Sequence, residues 1–220
     1  LSFETGKYDG QLIIDPVLKW ATYYGSPEFT MGYNVTSDTF GSVFMCGTTK
    51  STTAIADAIA YQTTYVGGNY DGYFVKFNPD GSRGFATYYG AAGVEFVNGI
   101  ACDKLGNIVI VGTTSSYSGL AYGTPHQAVN ASQLLISVYD YDAFMAKFAP
   151  NGSIIWGTYL GGLYSDEAYN VVIDKSNDIY LSGITLSTNN MATSGAFLTT
   201  QAPGFLTKFN SSGIRLWGTY

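Results

Sequence analysis

Glu28, Glu95, Asp166 and Glu167 each follow a Thr-Tyr pair by a few residues. Carboxylates in pairs hydrolyse glycosidic bonds, one protonating the leaving oxygen while the other serves as base or nucleophile. That chemistry needs two of them at one place. Here they recur once per repeat at nearly one offset, which points instead to a structural role where one unit crosses to the next. Asp140 and Asp142, separated by Tyr141, have oxygens to offer calcium, and Asp71 occupies the place equivalent to Asp142. Calcium takes six or more oxygens. No further acidic cluster adjoins these residues, so a turn or strand-edge hydrogen bond is their expected role. A nucleophilic triad or a zinc centre requires histidine or clustered thiols, and the chain has one histidine, His126, beside Pro125. No catalytic residue is therefore assigned and no cofactor is expected. Asp140 with Asp142 stand as the candidate metal site, with calcium as its ion.

Aromatic residues form a second series. Tyr23, Tyr24, Tyr88, Tyr89 and Tyr159, with Trp20, Trp156 and Trp217, recur with the repeat, so packing between layers is their expected use. Tyr117, Tyr122 and Tyr139 fall outside the repeated framework and are better placed to stack on a sugar or another ligand. Cys46 and Cys102 lie within the apolar runs VFMCG and GIACD. Buried free thiols are expected there, a bridge between neighbouring repeats being the alternative.

Stepping from these residues to what must hold them, 46% hydrophobic content is ample for a core. Aromatics at 16%, against 12% charged residues, with 27 Gly, suit twisted sheets joined by tight turns. A net charge of −6 leaves nothing to neutralise a phosphate backbone, so no nucleic-acid partner is expected. No apolar run reaches the roughly 18 residues of a membrane span. The chain starts at Leu1 without an initiator Met or visible signal peptide, and is read as an internal piece of something longer.

The repeat can be measured. Taking Thr22, Thr87, Thr158 and Thr219 as origins gives periods of 65, 71 and 61 residues. From each Thr to the last Thr of a GTT or GIT motif (Thr49, Thr114, Thr185) is 27 residues, and from each Lys of a Lys-Phe pair (Lys76, Lys147, Lys208) to the next Thr-Tyr is 11. Only the connection between them varies, at 27, 33 and 23 residues. A fixed framework with insertions confined to one loop per unit marks a stack of identical supersecondary units. These long loops are expected to be surface excursions.

Two hairpins are written into each unit. Asp38, Asp103 and Asp174 open turns closed three residues later by Gly41, Gly106 and Asn177, while Gly81, Gly152 and Gly213 close a second set five residues after each Lys. Four antiparallel strands per unit follow. The runs SVFMCGTT, NIVIVGTT and DIYLSGIT are nearly all apolar, which predicts strands covered on both faces. The fold class is therefore all-β, with β-propeller-type blades of four antiparallel strands, about three of them, forming a partial propeller. Residues 1–19 are the end of a preceding region, followed by blades at 20–86, 87–157 and 158–220.

The succession of TYYG, an Asp–Gly turn, GTT, an A-x-Q element at Ala60-Tyr61-Gln62 (looser at Pro125-His126-Gln127), Asp-Ala-Phe-Met-Ala-Lys-Phe, Asn-Gly and Trp-Gly-Thr-Tyr resembles the SBBP family of β-propeller repeats across residues 20–220. Unit three departs from it, with Pro203 where units one and two have Asp71 and Asp142. The resemblance implies an exported bacterial cell-surface protein, a structural or adhesive module without catalysis of its own. Its partners would be the remaining blades of the parent protein, and possible further ones are glycans or other surface proteins. The alternatives are a carbohydrate- or protein-binding propeller using the variable loops, and part of a glycan-active enzyme.

Overall fold

The computed structural model describes residues 18–132 and 141–220, so of the expected preceding region only 18 and 19 are described. Among the described residues twelve strands form three four-stranded antiparallel sheets, each a simple meander. Sheet one comprises β1 (Thr30–Ser37), β2 (Val43–Thr49), β3 (Asp71–Phe77) and β4 (Arg83–Tyr89). Sheet two comprises β5 (Glu95–Cys102), β6 (Ile108–Thr114), β7 (Asp142–Phe148) and β8 (Ile154–Leu160). Sheet three comprises β9 (Asp166–Ile173), β10 (Ile179–Thr185), β11 (Gly204–Phe209) and β12 (Arg215–Thr219). Thr87-Tyr88 and Thr158-Tyr159 lie within the closing strands β4 and β8, Thr219 ends β12, and Thr22-Tyr23 precedes β1 outside any strand. The three lysines hold one register in the third strand: Lys76 lies opposite Phe44 and Phe85, Lys147 opposite Val109 and Trp156, Lys208 opposite Tyr180 and Trp217.

Both hairpins form as their turn residues require. The Asp38 carboxylate accepts from Phe40 N and Ser42 N, Asp103 from Leu105 N and Asn107 N, and Asp174 from Ser176 N and Asp178 N. Three residues on, Gly41, Gly106 and Asn177 have φ of 85°, 80° and 63°. Asparagine tolerates this left-handed conformation better than other side-chain-bearing residues. Asn177→Ala is thus expected to cost about 1 kcal/mol in denaturant unfolding and Asn177→Gly nothing measurable; equal effects of the two would remove the conformational explanation.

The core lies between sheets, because neither face of a thin sheet can shield itself. In β6, Ile108 and Ile110 pack toward sheet one with Phe144 and Phe148, whereas Val109 and Val111 pack toward sheet three with Met145 and Trp156. Every residue of β6 is buried, as its unbroken apolar run predicts. Its counterpart β10 is only half buried, since the far face of sheet three has no neighbour among the described residues. Across the junctions a ring from one closing strand covers the hairpin glycine of the next sheet. Phe85 and Trp156 lie against Gly152 and Gly213, and Trp20 against Gly81.

The long loops are not merely surface excursions. Thirteen residues separate Thr49 from Gln62, Thr114 from Gln127 and Thr185 from Leu198, and these three segments are equivalent. Each sends one apolar side chain into the core, Ile55, Leu120 and Met191. Each then runs along the free edge of its own closing strand. Tyr88 N donates to Gln62 O, Tyr159 N to Gln127 O and Tyr220 N to Leu198 O, which covers an edge otherwise open to pairing with another chain. Variation in length is left to the stretch between the Gln or Leu and the third strand.

Candidate functional site

At each junction the first residue of a sheet's third strand meets the first residue of the next sheet. Asp71 opens β3 and Glu95 opens β5; Asp142 opens β7 and Asp166 opens β9. The backbone brings them together, because Glu95 N donates to the carbonyl of Tyr70 at 2.9 Å and Asp166 N to that of Tyr141 at 2.6 Å. Gly90 provides a measure of closeness. A Cβ on it would lie 2.8 Å from both Asp71 Oδ1 and Glu95 Oε2, so these oxygens are within twice that distance of each other. A Cβ on the equivalent Gly161 would lie 2.5 Å from Asp142 Oδ1. All four carboxyls are fully buried.

Their partners are equivalent too. Gln62 and Gln127 each donate through Nε2 to the Asp and accept through Oε1 from Gly90 N or Gly161 N, tying the loop, the third strand and the chain leaving the sheet into one unit. Asp71 Oδ2 also accepts from Val66 N at 2.8 Å and Asp142 Oδ2 from Ala131 N at 2.7 Å. Opposite them, Glu95 accepts from Ala91 N, Thr114 Oγ1 and Ser116 Oγ, and Asp166 from Gly162 N and Ser187 Oγ. Asp71 Oδ1, Asp142 Oδ1 and Asp166 Oδ1 are buried with no hydrogen-bond partner. Ion pairs among the described residues join Arg83 to Asp57, Lys147 to Asp103 and Lys208 to Asp178, and none of them reaches these carboxyls. Burial pushes Asp71 and Asp142 up to about 7, each raised further by the acid across the junction, and burial raises Glu95 and Asp166 as well.

The structure thus joins residues the sequence had placed in separate readings. Glu95 and Asp166, considered as hydrolytic carboxylates, meet Asp71 and Asp142, of which Asp142 was considered as a calcium ligand and Asp71 as its equivalent in place. Enclosed as they are, they meet no polysaccharide. Glu28 is exposed and Glu167 accepts from Tyr169 Oη at 2.9 Å, so neither joins a pair. The described neighbours of Asp142 direct N–H donors at its Oδ2, and no group of three or more acidic, His or Cys side chains suited to a metal occurs among the described residues. Asp140 and Tyr139 lie outside the described residues. Tyr117 and Tyr122 are each about half exposed, at 54% and 50%, on the second long loop. His126 packs edge-on against Phe209 at 5.6 Å, and burial, helped by Arg215, lowers its pKa. Cys46 and Cys102 are free thiols pushed up to about 12 by burial.

Sequence reasoning missed the glutamines as members of this site, and a signal was present. Sheet three, with no sheet beyond it among the described residues, has Leu198 for Gln and Pro203 for Asp. Sheet one, with none before it among the described residues, has Thr30 where Glu95 and Asp166 stand. Gln, Asp and the opposing acid occur together at both junctions and are replaced together elsewhere.

No family model matches the chain. Among curated proteins it is similar to an uncharacterized WD repeat-containing protein of Acanthamoeba polyphaga mimivirus, 26% identical over 125 residues, which is 54% of this chain. The match spans 9% of that protein's length. With the three repeated four-stranded sheets, this likeness places the chain among repeat-based, β-propeller-like folds.

Proposed function

We propose that the chain is a non-catalytic scaffold or adhesive module, a set of SBBP-type blades within an exported bacterial surface protein. The observation that carries this reading is the division of labour in every unit. A fixed stack of sheets is held by buried contacts, while length changes are confined to one stretch beside each third strand. Solenoid-like stacks use such a division to vary a surface without disturbing the core. The far face of sheet three supports a partner role for further blades, since Phe197, Leu206, Trp217 and Thr219 line an apolar groove of about 530 Å³ there. The reading requires no resident cofactor.

Half-exposed Tyr117 and Tyr122 favour a second reading, recognition of glycans or surface proteins by the loops, because tyrosine offers a flat apolar face with a polar tip. The double substitution Tyr117→Ala, Tyr122→Ala separates the two. If the loops recognise sugars, glycan-array binding falls at least tenfold while the thermal transition is unchanged. A scaffold alone gives no array signal in either form. Turnover of any polysaccharide by the intact protein would overturn both readings.

A further inference from the structure

We infer that the junction of sheets one and two is a proton site, in which Asp71 and Glu95 hold one proton between them at neutral pH, so that the stacking of these sheets responds to pH.

The inference rests on geometry. Two fully buried carboxyls meet across the junction, with the approach fixed by the Glu95 N to Tyr70 O hydrogen bond and by Gly90, whose missing Cβ leaves room beside an oxygen of each. Two negative charges so close and out of water repel strongly, and one carboxyl then holds its proton. The groups facing them supply no positive charge. Around Asp71 these are Tyr65 and Tyr88, and around Glu95 they are Tyr65, Tyr89 and Tyr159. Burial raises every one of these phenols, which keeps them neutral.

Hydrogen bonding decides where the proton sits. Glu95 accepts from three donors, which favour its ionised form, whereas both donors to Asp71 reach Oδ2 and leave Oδ1 bare. A hydroxyl at Asp71 Oδ1 directed toward Glu95 fills that gap and leaves the pair with one negative charge. As pH rises the proton passes to solvent and the second charge appears.

The sign is definite. A carboxyl raised in the folded state contributes stability that is fully present below its unfolded pKa and lost as pH rises through the folded value. The window therefore runs from about 4 to about 7. Asp103 and Asp174 are lowered and lose stability only below about 4. His126, also lowered, acts in the opposite direction as pH falls below its ordinary value but is common to every form compared.

The test is the thermal midpoint at about pH 5 and about pH 8 for the intact chain and for Asp71→Asn, each with chelator and with added calcium. An Asn amide can donate where the shared proton did. The wild type is expected to melt ~5 °C lower at the higher pH, with Asp71→Asn reducing that difference and equalling or exceeding the wild type at the higher pH. Should the variant fail to fold, infrared difference spectra of the wild type still decide, because a protonated carboxyl has its own carbonyl stretch, expected to disappear between about pH 6 and 8. A flat or rising midpoint, an absent stretch, or a midpoint at pH 8 that calcium raises and chelator lowers would overturn the proton assignment.

Discussion

Gly112→Ala is expected to be the most damaging single methyl in this protein, lowering the thermal midpoint by about 10 °C and stability by more than about 3 kcal/mol. The added Cβ would lie 1.9 Å from the carbonyl oxygen of Phe96 and 2.7 Å from the ring of Phe144. Those atoms cannot give way independently. Phe96 belongs to the β5–β6 ladder beside the register shift between Val97 and Gly99, and Phe144 fills the core between sheets one and two. Relief requires breaking the ladder or opening the core. The equivalent glycines of the other units face the same obstacle, since a Cβ on Gly47 or Gly183 would fall 1.8 Å from the carbonyl of Met31 or Glu167. Denaturant unfolding of Gly112→Ala measures the loss, and a change under about 1 kcal/mol would show that the bulge relaxes at little cost.

Trp156→Ala is expected to cost about 3–5 kcal/mol, as loss of a buried large aromatic does, and to localise that cost. Trp156 is buried between sheets two and three, covers the hairpin at Gly213, and donates through Nε1 to the carbonyl of Ser211 at 3.2 Å. In a stack, each layer is stabilised chiefly by its neighbours. Hydrogen exchange in the variant should therefore accelerate in β9–β12 well before β1–β4. Trp156→Phe should lose only about 1 kcal/mol, because Phe85 performs the same covering task over Gly152 one junction earlier. Equal acceleration in all three sheets would mean that the molecule opens as one cooperative unit.

Much of this architecture was legible in the order of residues, for a physical reason. Hairpins are local: an Asp that captures amides two and four residues on, and a glycine with positive φ, act within a handful of positions, so Asp38, Asp103, Gly81 and Gly152 announce their turns directly. Repetition then made a non-local fact readable, because equal offsets in three units imply equal places in three sheets, as the common register of Lys76, Lys147 and Lys208 bears out. Apolar runs such as NIVIVGTT carried their own signature of a strand enclosed on both sides.

What remained to the tertiary structure were the contacts between distant segments. The path of each long loop along its closing strand depends on hydrogen bonds such as Tyr88 N to Gln62 O, 26 residues apart in the chain, and no local preference encodes them. The carboxyl pairs are the clearest case. Asp71 and Glu95 are separated by 24 residues and by the turn into another sheet, and in the chain each is an ordinary acid. Only stacking removes both from water and sets them side by side, and their unusual chemistry comes from that enclosure.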